Sequence, residues 1–206
     1  MENRIRGIRG YWIVATVLIG IGAVFSLVYE KGVFLMWLAL HRNLFLDYYF
    51  YWITRACEPI AYVIMALVLL ISSWKKMVTI PLAGLLTSLL TYLLKIFFYH
   101  ERPALYLERL NFARPTDVLD YHMRIDHTSF PSGHSMAAWT LFSLTAMMYR
   151  KSWVSVLCLF LAVSVSMSRI YLMAHFLQDV VFGAGIGCLI AYGVYSLYLF
   201  WIKKRP

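Results

Sequence analysis

Charge is scarce in this sequence. Asp, Glu, Lys and Arg make up 14% of its 206 residues, against about 25% in an ordinary soluble domain. Hydrophobic residues reach 62% and the mean hydropathy is +0.69. That balance excludes a soluble globule behind a polar shell and points to helices packed within a bilayer. Cysteine is short as well. Cys57, Cys158 and Cys188 sit in or beside apolar stretches without paired spacing, so neither a disulfide framework nor a zinc ligand set is expected from them. The basic start through Arg9 is followed by an apolar run with no Ala-x-Ala-like cleavage site. The run is also longer than a signal-peptide core of about 7–15 residues, so it is expected to be a retained first span. No internal repeat or low-complexity tract divides the chain, and its length suits one integral-membrane domain, 1–206.

Six apolar stretches approach the roughly 20 residues that cross a hydrocarbon core as helix: 11–29, 59–74, 77–99, 132–149, 152–169 and 176–202. The expected fold is therefore an all-α membrane protein, with six transmembrane helices in a bundle and short interfacial helices on the outer face. Pro59 suits a first helical turn, where its missing N–H is no loss. Ser132 can cap the fourth span, and Pro103 should stop any extension of the third. The stretch 152–202 has no proline and no glycine before Gly183. As one helix it would overshoot a bilayer roughly twofold or more. Polar residues also gather at its middle (Ser168, Arg169, His175, Gln178 and Asp179), so a turn is expected within 170–175.

The few charges set an orientation. With the N-terminus inside, ten of the 19 cations fall on the inner side (Arg4, Arg6, Arg9, Lys75, Lys76, Arg150, Lys151, Lys203, Lys204 and Arg205), with Glu2 as their one acid. The other nine cations and nine acids cancel on the outer side. The positive-inside rule then puts both termini in the cytoplasm of a multi-pass cell-membrane protein. The net charge of +9 is thereby explained as turn anchors, and a nucleic-acid partner loses its support. Residues 30–58 carry Phe34, Trp37, Phe45 and Tyr48 through Trp52, and one or two interfacial helices are expected there, serving as belt anchors or, alternatively, as a substrate-shaping lid. The short chain without extensions fits a bacterial plasma membrane.

Ionisable residues at membrane edges are functional suspects, and here they form three clusters on the outer side. Lys95-x6-Arg102-Pro103 closes the third span. Pro131-Ser132-Gly133-His134 opens the fourth. Ser168-Arg169-x5-His175-x3-Asp179 straddles the turn between the last two. Lys95 and Arg102, seven apart, would share a face on a continuing helix. With Arg169 they supply three cations able to neutralise a phosphate, the arginines by bidentate hydrogen bonds. Ser132-Gly133 opens a helix, where free N–H groups favour an anion, and Gly133 allows close backbone approach. His175 and Asp179, at i and i+4, would meet on one helical face. The carboxylate could then orient the imidazole while His134 serves as a separate acid–base.

These residues resemble the three-part signature of the type-2 phosphatidic acid phosphatase, or lipid phosphate phosphatase, family. Its pattern is Lys-x6-Arg-Pro, Pro-Ser-Gly-His and Ser-Arg-x5-His-x3-Asp, matched here in order and without departure. The resemblance implies a six-helix fold with the site at the outer face and a mechanism shared with vanadium-dependent haloperoxidases. His175 would attack phosphorus, oriented by Asp179. His134 would protonate the leaving group and then activate water, while Lys95, Arg102, Ser132, Gly133 and Arg169 hold the phosphoryl oxygens. The expected partners are the bilayer and a phosphorylated lipid such as undecaprenyl diphosphate, phosphatidylglycerophosphate, phosphatidic acid or lipid A phosphate.

A phosphatase or phosphotransferase for a soluble phosphate ester is the alternative, and a non-enzymatic scaffold would be expected to have lost some of these letters. No cofactor and no metal are expected, because His100, His122, His127, His134 and His175 have no close ligand spacing. His41 likewise carries no functional support. Asp117, Asp120 and Asp126 read as a solvated loop face, and Arg109, Arg114 and Arg124 as candidates for headgroup contact.

Overall fold

The structure, a computed structural model, describes residues 2–112 and 125–203. Its elements in order are α1 (Glu2–Val28), α2 (Val33–Leu40), α3 (Leu44–Ile53), a 3-10 turn (Thr54–Cys57), α4 (Pro59–Ser72), α5 (Trp74–Met77), α6 (Thr79–Phe97), α7 (Pro103–Arg109), α8 (Gly133–Tyr149), α9 (Ser152–Tyr171) and α10 (Leu177–Lys203). The protein is an all-α membrane protein. Large apolar side chains cover its outside, with Leu27 86% and Ile71 89% exposed, the inverse of a soluble surface.

The bundle is built around α8, which is buried on nearly every side from Ser135 to Met148. A helix embedded all round needs partners for its hydroxyls, and α8 finds one on each neighbour. Ser143 meets the Tyr11 hydroxyl of α1 at 2.7 Å, Thr140 accepts from Thr87 of α6 at 3.2 Å, and Ser135 pairs with Ser166 of α9 at 3.0 Å. On the fourth side α10 approaches closely at Gly183 and Gly187. A Cβ added at Gly187 would lie 2.5 Å from the Met136 carbonyl oxygen, and one at Gly183 would lie 2.6 Å from that of Ser132. Gly183-x3-Gly187 is thus the small-residue spacing that lets two membrane helices touch backbone to backbone.

All six expected stretches are helical, but they are not six equal spans. Among the described residues, four helical segments are long and apolar enough to cross a membrane: Ile8–Val28, Trp74–Phe97, Ser152–Tyr171 and Leu177–Lys203. A fifth arises if Leu44–Cys57 and Pro59–Ser72, bent by 57°, are taken as one broken span. The helix expected over 59–74 ends early because Ser73 is extended (φ −175°, ψ 131°). At 14 residues α4 is about 21 Å long, short of a hydrocarbon core of about 30 Å. At 17 residues α8 stands at the lower limit, which suits a helix sheathed by protein. The 30–58 segment holds two short α-helices and the 3-10 turn, α3 being capped by the Asn43 side chain, which accepts from Leu46 N at 3.0 Å.

The turn between α9 and α10 falls where expected, and its device is visible. Met173 takes the left-handed conformation (φ 54°) that glycine usually supplies. The amides of Ala174 and His175 both donate to the Arg169 carbonyl, at 2.9 and 3.1 Å. Burial among Leu35, Leu107, Ile170, Phe176 and Val180 holds the Met173 side chain, so α2 and α7 clamp the turn that carries His175.

Candidate active site

The third cluster is assembled on this turn. His175 is buried, and its Nδ1 lies 3.5 Å from Asp179 Oδ2. The two do not share a helical face as expected, because α10 begins only at Leu177. They meet because Asp179 folds back over the helix start, its Oδ2 accepting from Phe176 N at 2.9 Å and from the Ser129 hydroxyl at 2.5 Å. The 3.5 Å contact is electrostatic rather than an aligned hydrogen bond, and both His175 Nδ1 and Asp179 Oδ1 lack hydrogen-bond partners among the described residues. Burial pushes the His175 imidazole down to about 4. Asp179 opposes that shift and the Arg169 charge reinforces it. Arg169 is itself buried and donates from Nη1 to Thr54 Oγ1 of the 3-10 turn, at 2.7 Å.

Arg102 is fastened on all its nitrogens. Nε donates to Asp126 Oδ1 at 2.7 Å and Nη1 to the Ala174 carbonyl at 3.0 Å, while Nη2 reaches the Thr128 carbonyl and hydroxyl at 3.4 Å. The expected continuous helix from Lys95 to Arg102 does not form. α6 ends at Phe97 because Phe98 turns extended (φ −103°, ψ 103°), and Arg102 is the N-cap residue of α7, with Pro103 in the first turn. Arg102 reaches the site by backbone pairing instead, its amide donating to the Asp126 carbonyl at 3.0 Å beside the His100–Thr128 bridge. Asp126, read as solvated loop face, is therefore the partner of Arg102. Partial burial works against its charge, yet the Thr128 hydroxyl and amide and the Arg102 guanidinium hold its carboxyl far below the usual carboxylate range.

The second cluster starts α8. Ser132 caps the helix, accepting from Ser135 N at 3.4 Å, and its own amide donates to the Asp179 carbonyl at 3.0 Å. That bond ties the start of α8 to the start of α10. A Cβ on Gly133 would lie 3.0 Å from the Thr91 methyl, so this glycine also lets α8 pass close to α6. Gly133, His134 and Lys95 line one cavity of about 450 Å³, together with Glu58, Thr91 and Tyr92. Arg169, His175, Lys95 and Arg102 all lie within electrostatic reach of His134. All eight candidate residues, His175, His134, Asp179, Lys95, Arg102, Ser132, Gly133 and Arg169, thus gather at one end of the bundle.

Thr54, Ser129 and Asp126 support the site without having been singled out for it. Asp-x-Thr is a local turn signal, with Asp126 Oδ1 accepting from both the amide and the hydroxyl of Thr128. Ser129 stands two residues before the Pro131 motif, whereas Thr54 carries no sequence signal. Arg109 turns away to Glu101 at 2.9 Å. Arg114, Arg124, Asp117, Asp120 and His122 lie outside the described residues. Among the described residues, no three His, Cys, Asp or Glu side chains gather as a metal cluster.

Residues 76–203 match the sequence pattern described as the PAP2 superfamily. A comparison with curated proteins returns no match. Among solved structures, Aquifex aeolicus LpxE superposes with a TM-score of 0.66 at 23% identity, covering 82% of this chain and 97% of its own. A Bacillus subtilis structure described as the first transmembrane PAP2 type phosphatidylglycerolphosphate phosphatase superposes with a TM-score of 0.64 at 22% identity, covering 100% of this chain and 98% of its own. At these identities the likeness is one of fold, and it extends over the helices preceding the matched pattern.

Proposed function

The chain belongs to the PAP2 superfamily, and from that premise we propose that it is a membrane-embedded lipid phosphatase, independent of metal, that works through a phosphohistidine. The observation that carries this reading is the meeting of three clusters far apart in sequence beside a cavity between membrane helices. With Nδ1 turned to Asp179, Nε2 of His175 is the nitrogen that attacks phosphorus. As the N–P bond forms, the bond from phosphorus to the lipid oxygen breaks, and His134 delivers a proton to that oxygen. Water then attacks the phosphohistidine, His134 takes its proton, and His175 leaves as neutral imidazole with inorganic phosphate released. Lys95 and Arg169 face the developing charge, and Arg102 adds a fixed positive field from its pinned position.

The positive charge of these side chains does the work that a divalent ion would otherwise do. Undecaprenyl diphosphate, phosphatidylglycerophosphate, phosphatidic acid and lipid A phosphate all present the required group on an apolar anchor. The charge pattern supports a site on the periplasmic or exterior face with both termini cytoplasmic. The test is phosphate release by detergent-solubilised protein from a panel of lipid and soluble phosphates. Long-chain substrates should be hydrolysed, excess EDTA should leave the rate unchanged, and orthovanadate should inhibit. Exclusive turnover of soluble esters, or complete loss on chelation restored by zinc or magnesium, would contradict the reading.

A further inference from the structure

A second cavity continues the first. The upper one, of about 450 Å³, holds Lys95, Gly133 and His134, and the lower one, of about 530 Å³, runs from it between α4 and α6 to Leu70 and Met77. Cys57, Pro59, Thr87, Ser88 and Ala137 line both, so the two form a single trench. On α4 its wall is one helical face, stepping through Pro59, Tyr62, Val63, Ala66, Leu67 and Leu70. Val63 and Leu85 are 59% and 66% exposed, so the trench opens sideways into the membrane. Its polarity is graded. Thr87, Ser88 and Thr91 give hydroxyls near Lys95, while Leu67, Leu70, Ile80 and Leu85 leave only hydrocarbon below.

The trench is propped open. The Tyr62 hydroxyl donates to the Ala137 carbonyl of α8 at 2.8 Å, so its ring stands as a strut between the helices. Gly84 faces that ring, and a Cβ there would lie 3.2 Å from Tyr62 Cδ1. From Lys95 on α6 to Met77 at the end of α5, within the single apolar segment Trp74–Phe97, the wall is roughly 27 Å long at 1.5 Å per residue. One leaflet of hydrocarbon is only about 15 Å, half of a 30 Å core.

Resting on the phosphatase reading above, we propose that this trench binds the tail of the substrate, and that its depth selects one apolar chain longer than a leaflet, the polyisoprenoid class, over diacyl lipids. The phosphate lies at Lys95 and His134, the first units of the chain pass the hydroxyls, and the remainder runs past Gly84 toward Met77. A tail that stops at the bilayer midplane leaves the lower cavity unused.

The test compares kcat/KM for undecaprenyl diphosphate, farnesyl diphosphate and dipalmitoyl phosphatidate in the full-length protein. Gly84→Leu and Ala66→Leu, each plugging the lower trench, should lower the undecaprenyl-to-farnesyl ratio about tenfold or more, the scale of discrimination a blocked apolar pocket gives. Leu189→Phe, on an exposed face of α10, should leave that ratio unchanged. An unchanged ratio in both plugged variants overturns the proposal, and so does an equal loss on dipalmitoyl phosphatidate. Occupancy is read independently in His175→Ala protein with a long polyisoprenyl diphosphate carrying a terminal diazirine. Photolabel should fall in peptides covering 63–70 and 77–85, and label confined to other helices overturns the assignment. Label in the trench without turnover by the unmodified protein would sink the phosphatase reading alone. Turnover without trench label would sink this one alone.

Discussion

At the scale of single residues, His175 stands out because its surroundings keep it neutral. It is buried, it faces cationic Arg169, and the neighbouring Asp179 carboxylate is already engaged by Ser129 and Phe176. Its folded value of about 4 lies below the ordinary 6.5. Stability linked to this group is therefore fully present above pH 6.5 and is lost as pH falls through 4. Histidine ¹⁵N shifts of the unliganded protein, assigned by the loss of a signal in His175→Ala, should place its midpoint near pH 4. A midpoint at or above 6.5 would mean that the turn is open to solvent. The eight candidate residues could be singled out in the sequence because each sits in a short motif with fixed spacing. Asp126 was not, because its contact with Arg102 spans 24 residues and depends on a backbone bridge that no periodicity announces. Thr54 was hidden for the same reason, its bond to Arg169 crossing 115 positions.

At the scale of elements, the helices were readable from apolar length, while their ends and mutual distances were not. Phe98 and Ser73 end helices by turning extended, and neither residue type is a strong stop signal. The Met173 turn escaped composition because a left-handed methionine is held there by tertiary packing. Glycine spacing on α10 carries more weight than the sequence alone suggested. The α8–α10 contact sets Ser132 against Asp179, and Gly187 has no room for a side chain. Gly187→Ala should destabilise the protein by about 1–3 kcal/mol, the usual range for overpacking. Gly193→Ala, with open space at its Cβ position, should be neutral or slightly stabilising. Thermal unfolding in detergent separates the two, and equal melting temperatures would contradict backbone contact between these helices.

At the scale of the whole molecule, an exposed apolar surface, a polar-paired central helix and the candidate residues gathered at one end fit the proposed reading of an enzyme that meets its substrate at the bilayer edge. The proposed orientation rests on the charge pattern. Lys151→Cys, in the exposed turn between α8 and α9, and Glu108→Cys, on the exposed side of α7, should label from opposite faces of the membrane with an impermeant thiol reagent. The native Cys57, Cys158 and Cys188 are buried and give little background. Labelling from the same face would refute the assigned topology. The central claim, that His175 on the α9–α10 turn and His134 on α8 divide one phosphoryl transfer, is tested most directly by trapping the covalent intermediate. Quenched protein from a reaction with ³²P-labelled lipid phosphate should carry acid-labile, base-stable phosphate. The label should be absent in His175→Ala and retained or increased in His134→Ala, whose turnover should fall by about 10²–10⁴. Label that persists in His175→Ala and vanishes in His134→Ala would reverse the roles and contradict the account.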